Sequence, residues 1–198
     1  MQKDLIYDSE YWQGRWEEQQ TGWDIGYASP PITEYFTTID RDARILIPGC
    51  GNGWEGQHLF EQGFRNITLL DLAPAAVELM KHRMPDAPAE MIQHGDFFEH
   101  TGSYDYIVEQ TFFCALHPSQ RQDYIEKANE LLTADGKLVG VLFDTHFGFD
   151  HPPFGGSKSE YEPLFEHHFE LLHFERCSNS IGPRQGRELF IECKPKEA

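Results

Sequence analysis

The chain has 198 residues and a mass of 22.9 kDa, the size of one ordinary globular domain, and its 39% hydrophobic content can fill one core. Sixteen Lys and Arg against 33 Asp and Glu leave a formal net charge of −17, a surface that repels phosphate backbones and argues against nucleic acid as a partner. Cys50, Cys114, Cys177 and Cys193 stand far apart with no CxxC pair, which suits reduced thiols in the cytoplasm; no apolar leader or membrane-length apolar run is expected.

Residues 9–19 are predicted helical, with Trp12 and Trp16 four apart and therefore on one face. An apolar strand over 44–47 ends in a glycine-rich turn, and a helix follows over 54–62. The strand at 67–70 ends at Asp71, and the helix at 73–82 carries Pro74 in its first turn, where a missing N–H costs little. Residues 89–93 and 104–108 read as two more strands, Ser119 as the cap of a helix reaching Leu132, and 137–143 as the fifth strand. Beyond a loop rich in Gly, Pro, His and Phe, Ser159 and Glu162 have the spacing of a capping box. Strands over 169–174 and 189–193 are separated only by turn residues, so they form an antiparallel hairpin at the sheet edge. No linker or repeat divides the chain. The expected fold is α/β and Rossmann-like: a seven-stranded, mostly parallel sheet with helices on both faces and an antiparallel edge strand. One domain spans 1–198, with residues 1–35 as an N-terminal helical lid.

PGCGNG over 48–53 follows a strand and opens a helix. Gly49, Gly51 and Gly53 there let the backbone turn sharply and approach a ligand, with helix N–H groups aimed at it. Asp71, followed by Leu72, stands where a carboxylate accepts from both hydroxyls of a ribose. In GDFF over 95–98, Asp96 can accept from the exocyclic amine of adenine and Phe97 can lie against the ring; an ordinary turn with two core aromatics is the alternative. The dinucleotide fingerprint requires a small residue where this chain has Trp54. The GxGxG pattern suits S-adenosylmethionine, whose methionyl carboxylate meets the turn, better than a nicotinamide dinucleotide.

WQGRW over 12–16, TGWD over 21–24, LIPGCG over 46–51, LDL over 70–72, FFCAL over 112–116 and PPF over 152–154 together resemble the thiopurine and thiol/halide methyltransferases, across nearly the whole chain. The resemblance implies S-adenosylmethionine as cofactor, bordered by Trp12, Trp16 and Trp23 and held by the Gly49–Gly53 turn, Asp71, Leu72, Asp96 and Phe97. Gln110 falls on the cofactor too, where the thiopurine branch carries an arginine. Its neutrality, the FFCA run and GPRQGR over 182–187 point to the thiol/halide branch; His151, in place of the glycine before two prolines, departs from it.

Methyl transfer from a sulfonium is an in-line displacement whose donor is already activated, so alignment, worth on the order of 7–11 kcal/mol, matters most. Tryptophan faces beside the sulfonium add roughly 0.5–2 kcal/mol. The candidate acceptor pocket is Trp16, Trp23, Phe112, Phe113, Asp144 and Phe154. Asp144 either assists deprotonation or caps the next loop, and Trp12 with Trp16 either roofs the donor or forms a core face. Cys114 reads as core, and Arg184 with Arg187 as a solvated pair. The expected activity is methylation of a small-molecule acceptor (a thiol, bisulfide or a halide) by a monomer or weak oligomer with no metal, away from membranes. Aromatic thiols or metalloids as acceptors, or donor binding without catalysis, are the alternatives.

Overall fold

A computed structural model of the chain describes residues 7–196. Seven strands form one sheet: β1 (Ile45–Pro48), β2 (Ile67–Asp71), β3 (Ile92–His94), β4 (Tyr104–Gln110), β5 (Leu132–Phe143), β6 (Phe169–Arg176) and β7 (Glu188–Pro195). Their order is β3-β2-β1-β4-β5-β7-β6. The first five pair in parallel, and β7 runs against both β5 and β6. The hairpin expected at the edge is present, with β7, its antiparallel member, one place in from that edge.

Side-chain alternation along the central strands separates two cores. Ile45, Ile47, Ile67 and Leu69 pack with Ile32, Leu59, Val77 and Met80, on the face covered by α2 (Pro30–Tyr35), α3 (Trp54–Glu61) and α4 (Pro74–Arg83). Leu46 and Leu70 face the other way, towards Tyr124 and Ile125 of α5 (Arg121–Leu131) and Tyr161 and Phe165 of α6 (Lys158–Glu166). Strands buried on both faces read as unbroken apolar runs, which is why 44–47 and 67–70 are legible in the sequence. Two glycines set how closely the layers approach. A Cβ on Gly56 of α3 would overlap Leu69 of β2, and one on Gly140 of β5 would overlap the carbonyl oxygen of Glu109 on β4.

Several boundaries differ from the expected ones. Residues 89–93 are not a full strand, because Pro88 accepts from Met91 N–H and closes a turn; pairing begins only at Ile92. Strand β5 begins already at Leu132, since a register shift opposite Tyr104 and Tyr106 absorbs the turn residues before Lys137. Ser119 is not the cap ahead of α5. The His117 ring accepts from Ser119 N–H at 3.2 Å, while Gln120 Oε1 accepts from His117 N–H at 3.3 Å, a reciprocal box around a 3₁₀ turn. Helix α6 starts at Lys158 rather than after Ser159, with Ser157 as its N-cap residue and the Asp144 carboxylate accepting from Lys158 N–H at 2.9 Å.

Glycine at position 140 is a packing requirement, because the nearest atom a side chain would meet is the backbone carbonyl of Glu109, which cannot swing aside. Gly140→Ala should lower the free energy of unfolding by about 1–3 kcal/mol, read from urea denaturation. An unchanged midpoint would show that β4 and β5 can move apart.

Candidate functional site

The loops following β1 to β5 surround a cavity of about 680 Å³ at the C-terminal edge of the sheet, where ligands of open α/β sheets bind. Gly49, Gly51 and Gly53 take left-handed conformations, with φ of 56°, 53° and 69°. A Cβ on Gly49 would overlap the Phe112 ring, and one on Gly51 would stand 3.3 Å from Trp16 Cζ2. These two glycines line the cavity. Gly53 does not; it precedes α3, and a Cβ there would come within 2.8 Å of Met80 Sδ, so its smallness serves the packing of α4.

The Asp71 carboxylate, at the end of β2, is 8% exposed and lines the cavity. Its Oδ2 accepts from Gly51 N–H at 2.8 Å and its Oδ1 from Ala73 N–H at 2.9 Å. Burial raises this carboxyl above the usual range, and the two backbone donors oppose that rise. A carboxylate has about four acceptor positions, so two remain for a ligand. Leu72 borders the same space, and its carbonyl accepts from Ser9 Oγ at 2.9 Å. Asp96 and Phe97 follow β3 there. Asp96 Oδ1 accepts from Phe98 N–H at 2.9 Å, closing an Asx turn, while the buried Phe97 ring packs on Phe112 and Tyr124. Gln110 ends β4 with its Oε1 buried and, among the described residues, without a hydrogen-bond partner.

Helix α1 (Ser9–Glu17) and the loop after it roof this side of the cavity. No residue of α1 is buried, so it is not a core helix. Polar contacts hold it instead: Ser9 on the Leu72 carbonyl, and Gln13 Oε1 accepting from Ala75 N–H at 2.9 Å in the first turn of α4. Trp12 and Trp16 both meet Trp23 edge-on, with ring centroids 5.7 and 5.9 Å apart, and all three line the cavity. Asp24 pins the Trp23 loop to the glycine turn, accepting from Asn52 Nδ2 at 2.5 Å and Trp54 Nε1 at 2.8 Å. Arg83 stacks over Trp54 at 3.6 Å, on the far side of that link.

The acceptor candidates divide. Phe112 lines the cavity with Trp16 and Trp23, whereas Phe113 is buried in the α5–α6 core and Phe154 lies behind the wall, against His117 and Tyr7. Asp144 is occupied at the start of α6 and does not border the cavity, so it is a cap here rather than a base. Arg184 corrects the expectation of a solvated pair. Its side chain is 11% exposed, pairs with Glu188 at 3.4 Å, donates to the Trp23 carbonyl at 2.8 Å and lies over the Phe143 ring. Arg187 is exposed and lies over Phe147 at 5.4 Å; both guanidinium residues border the cavity. Asp24, Asn52, Phe143 and Phe147 are cavity or supporting residues that the sequence reading passed over. For Asp24 the signal was available: it closes the TGWD motif beside Trp23.

Comparison with known proteins gives the family and the fold. The sequence model of the thiopurine S-methyltransferase (TPMT) family matches residues 7–193. A probable thiol methyltransferase 2 of Arabidopsis thaliana is 32% identical over 184 residues, covering 89% of this chain and 81% of the relative. Thiocyanate methyltransferase 1 of the same plant is 28% identical over the same shares. A 1,6-didemethyltoxoflavin-N1-methyltransferase of Burkholderia thailandensis, solved with S-adenosylhomocysteine, shares the fold at a TM-score of 0.72 and 19% identity, over 96% of this chain and 87% of that one. The chain belongs to the thiopurine S-methyltransferase family. It is an S-adenosylmethionine-dependent methyltransferase with a Rossmann-like fold.

Because Asp71 holds the amides of both Gly51 and Ala73, it is a structural residue as well as a cavity one. Asp71→Ala leaves two donors without their acceptor and should lose about 1–3 kcal/mol of unfolding free energy. Asp71→Asn, which keeps one carbonyl, should lose less. Equal stability of both variants and the parent in urea would contradict this role.

Proposed function

We propose that the chain transfers the methyl group of S-adenosylmethionine to a small soft nucleophile: an alkyl thiol, bisulfide, thiocyanate or a halide. The cavity's donor set fits the methyl donor. Gly49 and Gly51 face the methionyl part, Asp71 offers its free acceptor positions to the ribose, and Asp96 and Phe97 take the adenine, with Leu72 beside them. Gln110 Oε1, buried without a partner, is an acceptor suited to an amine, and Trp12, Trp16 and Trp23 close the roof. When bound, S-adenosylmethionine supplies an electrophilic methyl group and leaves as a neutral thioether.

The observation that carries the acceptor class is the wall beyond Gln110. Phe112, Leu116, Phe143, Phe147, Pro152 and Pro153 make it apolar, while Arg184 and Arg187 bring cationic groups to it in a chain of net charge −17. Such a wall excludes water from a soft nucleophile and draws an anion in against the field of the whole protein. The names of the Arabidopsis relatives support thiols and thiocyanate. The neutral Gln110 speaks against the thiopurine branch.

We read residues 1–198 as one methyltransferase domain in which 1–35 act as a lid; of these, 1–6 lie outside the described residues. The polar attachment of α1 supports a segment that can lift without opening the core. Four free cysteines support a cytoplasmic setting, and scattered exposed apolar side chains (Tyr27, Leu79, Phe149, Leu172) support a monomer or weak oligomer. No helix among the described residues is long and apolar enough to cross a membrane.

Labelled S-adenosylmethionine offered with butanethiol, bisulfide, thiocyanate, iodide and 6-mercaptopurine tests the assignment. The small acceptors should show the higher kcat/KM, and a preference for 6-mercaptopurine would overturn it. Arg187→Gln should lower kcat/KM for thiocyanate by about 10-fold, an effect that shrinks as salt is added.

A further inference from the structure

We infer that Glu109 accepts the proton of substrates that arrive as neutral thiols, through a chamber for one water behind the wall of the main cavity; this rests on the thiol reading above. The chamber, of about 10 Å³, is lined by Glu109, Thr111, Cys114, Phe143, Tyr161 and Glu188 among others. That volume is about the room one water takes. Thr111, Cys114 and Phe143 also line the large cavity, so the two spaces share a wall.

Glu109, near the end of β4, is fully buried. Its Oε1 accepts from Phe112 N–H and Phe113 N–H, both at 2.9 Å, and its Oε2 accepts from Tyr124 O–H at 2.7 Å. Of about four acceptor positions on a carboxylate, one is left. Burial outweighs the three donors and raises the carboxyl to about 7, where a base can both take and release a proton in neutral water. Burial pushes the Cys114 thiol up to about 12, and it pushes the Tyr124 hydroxyl well above its usual range, so that phenol stays a donor. Tyr161 of α6 is likewise raised to about 12 by burial, while Glu188 of β7 is paired with Arg184 and Arg121 of α5 lies over Phe113 and Tyr161. Thr111, between the two spaces, has φ of 61°, a left-handed backbone that a β-branched residue rarely takes. Such strain persists where neighbouring bonds enforce it, here the two amide bonds onto Glu109.

The step balances. The thiol S–H bond breaks and its proton goes to the hydroxyl of Thr111, a residue that lines both spaces; Thr111 passes its own proton to the chamber water, and that water passes one of its own to Glu109. The electron pair left on the acceptor sulfur forms the new bond to methyl carbon. The pair of the breaking carbon–sulfur bond stays on the donor sulfur and cancels its positive charge. Glu109 ends neutral and returns its proton along the same path to the main cavity after the product has left. Thiocyanate and halides carry no proton and bypass this path.

Butanethiol and thiocyanate therefore separate a proton-accepting Glu109 from one that merely pins the turn. Glu109→Gln keeps a carbonyl for the Phe112 and Phe113 amides. It should lower kcat/KM for butanethiol by about 100-fold and for thiocyanate by no more than about 3-fold. Equal losses for both acceptors, or undiminished butanethiol turnover, would overturn the inference alone; a parent enzyme that methylates neither would refute the acceptor reading itself. Carbon-13 NMR of labelled glutamate in the S-adenosylhomocysteine complex gives a readout apart from turnover. One carboxyl resonance, missing in Glu109→Gln, should titrate near 7. Since the folded state then holds a proton that the unfolded state releases, stability in urea should fall as pH rises from 4.5 to about 7 in the parent and less so in the variant. A Glu109 resonance already ionised at about pH 5 would overturn the assignment. Should Glu109→Gln not fold, Tyr124→Phe removes one donor from the carboxylate. It should move the acidic limb for butanethiol, but not for thiocyanate, to higher pH, and an unmoved limb would likewise overturn it.

Discussion

A single buried carboxylate ties together the two turns on which the site is built. Asp71 ends β2, accepts from Gly51 in the turn after β1 and from Ala73 at the start of α4, and so fixes two βα connections relative to each other. Unshared backbone N–H groups at helix starts and tight turns need acceptors, and a charged one gives the stronger bonds. Because β1 and β2 are adjacent and parallel, this link also sets the distance between the glycine turn and the end of β2 at the cavity. Gln13 reaches the same helix start through Ala75, and Ser9 reaches Leu72, so the roof helix registers on the frame that Asp71 defines.

The same device recurs at the end of β4. Glu109 accepts from the two amides of the turn that follows it, and that turn places Phe112 over Gly49 and Thr111 at the boundary of the acceptor space. Both carboxylates are buried, and burial raises the pKa of each. Asp71 keeps free acceptor positions towards the main cavity, whereas Glu109 opens only onto the small chamber behind it. Two strand-end carboxylates thus do the same structural work, each holding the amides of the turns at its end of the sheet. Between them lies β1, whose residues Ile45 to Ile47 are wholly apolar and buried and offer no polar group of their own.

What was legible in the sequence was what is local. An apolar run, a glycine turn and a terminal Asp occur within a few residues, and their order already implies a βαβ crossover. The tryptophan spacing likewise carried the roof. What was hidden depends on partners far along the chain. Arg184 sits among Gly, Pro and Gln and reads as solvated, yet its guanidinium is held by the Trp23 carbonyl, far away in sequence. Asp144 reads equally as base or cap until Lys158 is seen folded back on it. Phe112 and Phe113 are neighbours in an irregular turn, where no period tells which ring faces the cavity; the left-handed backbone at Thr111 decides it. Glu109 was passed over because the fourth strand was read only to residue 108, whereas it runs to Gln110, and only the three donors around Glu109 show its buried role.

In the proposed reading, donor and acceptor share one cavity, on opposite sides of Gln110, with the nucleophile against the Phe112 and Phe143 wall near Arg184. Iodide is both a candidate acceptor and a strong anomalous scatterer, so crystals of the S-adenosylhomocysteine complex soaked in iodide test that placement directly. The account predicts an anomalous peak between that aromatic wall and the sulfur of the bound product. Iodide found only on the protein surface, with the wall beyond Gln110 covered by the product itself, would contradict it.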